Sequence, residues 1–158
     1  VDASGMVLEC AGSVYPDTVA GPQITNLVWI DNARATVGSR LPVRDSAQLQ
    51  AMQRVLGALD TTNLLGRVAS LDLKSLENIK LLTTDGASIV LGDDGSLETK
   101  LLIAREVLVV REPLGTVMGA TIDVSSGREA HYIPRVLPTV TPVPTATPTL
   151  EPSPTPEP

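Results

Sequence analysis

Residues 79–124, IKLLTTDGASIVLGDDGSLETKLLIAREVLVVREPLGTVMGATIDV, decide the fold. In order, they read as a strand, an Asp-Gly turn, a second strand, a Gly-Asp-Asp-Gly loop, an amphipathic helix and a return strand. Asp85-Gly86, between strands predicted over 78–83 and 87–91, is a strong hairpin signal, on the expectation that both turn positions take positive φ. In the helix, Leu97, Leu101, Ala104 and Leu108 recur at steps of three and four and make one apolar stripe. Glu98 near its start and Arg111 near its end suit the helix dipole, and Pro113 and Gly115 end it. Strands over 120–124 and 129–133 then close a final hairpin around Ser125-Ser126-Gly127.

Upstream, residues 1–9 (VDASGMVLE) read as two short strand pieces around an Ala-Ser-Gly turn, and 10–23 as a loop. Residues 24–30 (ITNLVWI) are rich in β-formers, and 38–44 form an extended lead-in to a helix predicted over 46–60. Asp45 or Ser46 caps that helix. With Asp45 as the cap, Gln48 is placed to return a side-chain bond. Leu49, Met52, Leu56 and Leu59 supply its stripe, Gly57 weakens its last turn, and Asp60-Thr61-Thr62-Asn63 stops it. Residues 67–73 alternate Val68, Ser70 and Asp72 against Ala69, Leu71 and Leu73, a strand with one dry face. The expected class is α+β, a mostly antiparallel sheet with two packed helices over residues 1–134.

Composition divides the 158 residues in two. The folded part must have an aliphatic core, because the chain has no Phe, one Trp and two Tyr. Residues 135–158 are mostly Pro, Thr and Val. They read as a disordered tail, with too little apolar surface to fold and a polyproline II reach of roughly 70–80 Å. Such a tail serves as a plain spacer or as a glycosylated, wall-embedded stalk, and it favours an extracytoplasmic address. The net charge of −6 argues against a nucleic-acid partner and against docking on anionic lipid. No run of about 18 apolar residues is present to span a membrane. The chain opens on Val1 and is read as an excerpt or processed product, with any anchor upstream.

Catalytic groupings are scarce. Asp93, Asp94 and Glu98 do not match calcium-loop spacing and read as a solvated turn and a helix N-terminal charge. His131 reads as an ordinary strand histidine, Ser125 and Ser126 lack a nucleophile elbow, and lone Cys10 reads as a small hydrophobe. No metal or cofactor motif is present, so the chain is expected not to be an enzyme. The positive feature is the last strand, expected late in the sheet and stopped by Pro134. An exposed edge there would accept a partner strand. The candidate binding residues are Arg128, Glu129, Ala130, His131, Tyr132 and Ile133, with Tyr132 as a side-chain anchor.

Several pieces, in order, resemble the extracytoplasmic β domain of the FtsQ/DivIB bacterial cell-division family. Residues 1–7 (VDASGMV) are similar to its opening VDxxG strand, and Leu41-Pro42-Val43 to its lead-in before the first helix. The hairpin over 81–92 echoes its DG turn and trailing LG. Lys100-Leu101 matches its KL, and Ile122-Asp123-Val124 its IDL/IDV. Three features depart from the family: Ser125 and Ser126 stand where it commonly has a basic or aromatic residue, the final hairpin is short, and the Pro/Thr tail lies outside its pattern. The resemblance covers residues 1–134. It implies a non-enzymatic septal scaffold on the outer face of the cell membrane, with a single-pass anchor and a POTRA module upstream. Its partners would be FtsB/DivIC-like and FtsL-like proteins, with a strand added beside the last one. The rival reading is a glycan- or wall-binding surface module on its stalk.

Overall fold

A computed structural model describes residues 1–2, 5–8, 21–28, 34–115 and 117–135. Cys10, the loop over 10–20 and the tail beyond Arg135 lie outside the described residues. The elements run β1 (Gln23–Thr25), α1 (Ser46–Thr61), β2 (Val68–Asp72), β3 (Ile79–Thr83), β4 (Ser88–Gly92), α2 (Leu97–Arg111), β5 (Thr121–Asp123) and β6 (His131–Ile133). The strands form one six-stranded sheet in chain order, β1 to β6. β1–β2 and β4–β5 pair in parallel, with α1 and α2 as their crossovers, while β2–β3, β3–β4 and β5–β6 are antiparallel. The fold is α+β with a mostly antiparallel sheet.

One row of side chains crosses the whole sheet. Ile24, Leu71, Leu81, Ile89, Ile122 and Tyr132 are successive register partners. The four central members are buried beneath Met52, Val55 and Leu59 of α1 and Leu97, Leu101, Ala104 and Leu108 of α2. The α2 stripe therefore meets the sheet as its spacing requires. The neighbouring row, Thr25, Asp72, Lys80, Val90, Asp123 and His131, alternates to the opposite face and leaves it largely polar.

Local chemistry departs from expectation at four places. The β3–β4 loop is Thr84, Asp85 and Gly86. Thr83 N–H donates to Ala87 O at 2.8 Å and Gly86 N–H to Thr83 O at 3.0 Å. Gly86 takes φ of 80°, whereas Asp85 is absent from the positive-φ residues, so only the glycine is left-handed. In β2, a register shift between Val68 and Ser70 marks a bulge that breaks the alternation. Val68 is buried as a result, and Ala69, expected on the dry face, is only half-buried.

Asp45 caps α1, its carboxylate accepting from Ala47 N–H at 2.8 Å. Gln48 does not return a bond to the cap. Its Oε1 instead accepts from Val28 N–H at 2.9 Å, and its Nε2 donates to Leu73 O at 2.8 Å and Asn26 O at 3.3 Å. The amide ties the end of β1, the start of α1 and the end of β2 together. Finally, the two strand pieces expected over 1–9 reduce, among the described residues, to a single bridge between Met6 and Arg40. Val7, Leu41 and Val43 form a small cluster there against Leu27 and Leu49.

Candidate functional site

β6 ends the sheet, with β5 as its neighbour. Hydrogen bonding in β5 decides which way the β6 backbone faces. Ser88 N–H donates to Ala120 O at 2.9 Å and Val124 N–H to Val90 O at 3.0 Å. Ala120, Ile122 and Val124 therefore face β4, which leaves Thr121 and Asp123 to face β6. Their register partners, Ile133 and His131, carry the β5–β6 ladder. The peptide groups of Tyr132 and, by continuation, Ala130 are turned to the outer side of the sheet.

Side chains alternate in the same way. Tyr132 and Ala130 are half-buried and pack against the main core. The Arg111 guanidinium of α2 lies over the Tyr132 ring, 4.5 Å from its centroid, a favourable cation–π distance. Tyr132 is thus held on the helix side and anchors the strand to α2. His131 and Ile133 point to the other face, and Ile133 is 57% exposed. Arg128 and Glu129 are exposed in the turn. Ser126 Oγ accepts from Arg128 N–H at 3.3 Å and Glu129 N–H at 3.4 Å, and donates to Glu129 O at 3.2 Å. Of the six residues read from the sequence as a site, only His131, Tyr132 and Ile133 form β6, which is shorter than the strand expected over 129–133; Ala130 leads into it and Arg128 and Glu129 belong to the turn.

Two contributors escape sequence reasoning. From sequence, Arg111 suits only the helix dipole; its stack on Tyr132 joins distant segments. Lys100 sits at a step of the α2 pattern beside Leu101 and is 3% exposed. Its Nζ donates to Asp93 O at 3.1 Å and to the Asp93 carboxylate. Its stem passes beneath the hairpin tip, where a Cβ on Gly127 would lie 3.7 Å from Lys100 Cε and Cγ. Lys100 therefore seats the β5–β6 turn on the start of α2.

Three carboxyls are held below their ordinary range. For Asp123 the first cause is the Ser125 N–H, at 2.9 Å, followed by the Ser125 hydroxyl. For Asp72 it is the Asn26 side-chain amide, at 2.7 Å. For Asp93 it is the hydrogen bond from Lys100. Their native pKa values are depressed, so the stability they contribute is complete above the unfolded carboxylate pKa and is lost as pH falls through the native values. The expected melting temperature is flat from about pH 7 to about pH 5 and falls below about pH 4. Asp72→Asn should shallow that acid slope, and an unchanged slope would remove Asp72 from the account.

Among the described residues, no three His, Cys, Asp or Glu side chains cluster to hold a metal ion. His131 Nε2 lies 3.5 Å from Glu129 Oε1, while the Ser126 hydroxyl is engaged with the turn backbone. The groove beneath the β3–β4 turn contains Asp85 and Glu112, both paired to Arg67, at 3.3 and 3.0 Å. Among the described residues, no helix is long and apolar enough to cross a membrane.

These features define an α+β domain with two helices on one face of a six-stranded sheet and a short terminal strand at one edge. No protein-family model matches the chain, and no curated protein or solved structure matches it significantly.

Proposed function

We propose that this domain is a non-enzymatic scaffold of the bacterial division machinery that binds partner proteins by strand addition at β6. The observation that carries the reading is the place of β6 at the end of the sheet, with the Tyr132 peptide turned outward. Backbone hydrogen bonds at such an edge supply affinity, and alternate side chains supply selectivity. The Arg111–Tyr132 stack and the Lys100 seat keep the edge in place before a partner arrives, which lowers the ordering cost of binding.

The division assignment is supported by the motif order that resembles FtsQ/DivIB proteins. On that reading the partners are FtsB/DivIC-like and FtsL-like segments. The domain stands on the extracytoplasmic face of the cell membrane, behind an anchor and a POTRA module of the longer protein. A wall-glycan role is less well supported. Tyr132 offers little free ring for a sugar, because the Arg111 guanidinium lies over it.

The test is a titration of the chain with the FtsB/DivIC-like and FtsL-like extracytoplasmic segments of the same organism. Ala130→Pro is the diagnostic variant, because it removes an outward N–H and leaves the β5–β6 ladder intact. A proline at Ile133 would instead break that ladder. Saturable binding is expected, weakened about tenfold or more by Ala130→Pro with an unchanged circular-dichroism spectrum. Absence of saturable binding at high micromolar concentration would overturn the division reading.

A further inference from the structure

We infer that the chain just beyond Arg135 docks in the groove between the β3–β4 turn and the segment that follows α2. Val136 and Leu137 are its apolar contacts there, and the Pro/Thr stalk leaves the domain only after Pro138. The inference does not depend on β6 accepting a partner strand.

The course of β6 leads to the groove. β6 pairs antiparallel with β5, from His131 beside Asp123 to Ile133 beside Thr121. Two residues further on, Arg135 lies against Gly119, where an added Cβ would stand 2.6 Å from Arg135 Cδ. Gly119 permits this approach because it has no side chain, and its φ of 73° suits a glycine. Its N–H donates to Gly86 O at 3.0 Å, which ties this segment to the β3–β4 turn. The groove begins there. Asp85 and Gly86 line one side and Glu112, Val117 and Met118 the other, around a volume of about 460 Å³. On the same antiparallel course, residues 136 and 137 draw level with Met118 and Val117. They advance only about 7 Å, at about 3.3 Å per residue.

Groove and segment match in chemistry. Met118, at 73%, is the most exposed large apolar side chain among the described residues. Leu114, between Glu112 and Gly115 in sequence, is exposed too. Asp85 and Glu112 are both paired to Arg67, so the groove presents their charges already compensated. Residues 136–150 (VLPTVTPVPTATPTL) carry no charge, and Val136-Leu137 is the only pair of adjacent large apolar residues beyond Arg135. Ile133 and Leu137 each precede a proline, which biases both to extended backbone and keeps the line of β6. The same restriction lowers the entropy lost on docking. Because it is tethered, the segment meets the groove at an effective concentration of about millimolar, ahead of a free ligand of the same chemistry.

Docking has two effects. It clasps a strand of only three residues at its downstream end, where Pro134 supplies no N–H to the ladder. It also sends the stalk away from the end of the sheet at the β3–β4 turn, which leaves the outer side of β6 uncovered.

Methyl NMR of the full chain tests this. Its three methionines, Met6, Met52 and Met118, give three labelled methyl signals. The Met118 methyl should show a nuclear Overhauser contact with Val136 or Leu137 that persists on dilution. Leu137→Ser should move the Met118 signal and leave Met6 and Met52 in place, whereas Leu150→Ser should move none of them. Leu137→Ser and Met118→Ser should each speed exchange of the Ile133 amide by about threefold or more, and the double variant no more than either. Circular dichroism on each variant checks that the fold is kept. Absence of the contact, or a Met118 signal that ignores Leu137→Ser, would overturn the inference. A contact that fades on dilution would also overturn it, by assigning the groove to a second copy of the chain. Additive effects on Ile133 exchange, or none, would remove the clasp.

Discussion

Leu101→Ala is expected to lower the unfolding free energy by about 2–5 kcal/mol, read from urea denaturation. Leu101 is fully buried at the centre of the α2 stripe. The buried members of that core are aliphatic side chains and one methionine, with Tyr132 only half-buried at its margin. The loss therefore combines the transfer energy of the missing methyls with a cavity term. Small domains have only about 5–15 kcal/mol in total, so this one change removes a large share. Leu102, the next residue, is 47% exposed, and Leu102→Ala should stay within about 0.5 kcal/mol. Equal costs at the two positions would mean that α2 does not face the sheet as described.

Gln48→Met should cost about 2–3 kcal/mol, for a different reason. Methionine preserves bulk and helix propensity, so packing changes little. What disappears is the acceptor for Val28 N–H and the donor for Leu73 O and Asn26 O. Gln48 is buried, so its removal leaves polar groups near the core without their partner. The expected signature is a lowered denaturation midpoint together with faster amide exchange at Val28, which Leu101→Ala should not single out. A change below about 0.5 kcal/mol would show that water replaces the amide at no cost.

The difference between those two residues also explains how far the sequence could be read. The role of Leu101 was legible because helical periodicity is a local signal that survives folding unchanged. The α1 boundaries and the β3–β4 turn were legible for the same reason, since a cap and a Gly act within a few residues. The role of Gln48 is not legible in sequence, because its donors and acceptors come from segments far along the chain while the nearby cap offers a local use. The β2 bulge was hidden likewise, because it reflects the register of β3 rather than the residues of β2. At the candidate site, Pro134 and the late hairpin placed residues 128–133 near a sheet edge. The stack of Arg111 on Tyr132 and the seat made by Lys100 required knowing that α2 runs beside β6.

The alternation of parallel and antiparallel pairings carries one more consequence. β1, α1, β2 and β3 trace a strand, a crossover helix, a parallel neighbour and an antiparallel return, and β4, α2, β5 and β6 trace the same course again. The sheet is two tandem copies of one four-element module laid side by side. In that scheme β3 and β6 are equivalent last strands. The outer side of β3 is occupied by β4, the first strand of the next module, and the two run antiparallel. β6 stands where a third module would begin. Under the strand-addition proposal, a strand added there would take the place that β4 holds beside β3, and the joint between the two halves would give the antiparallel geometry of that contact.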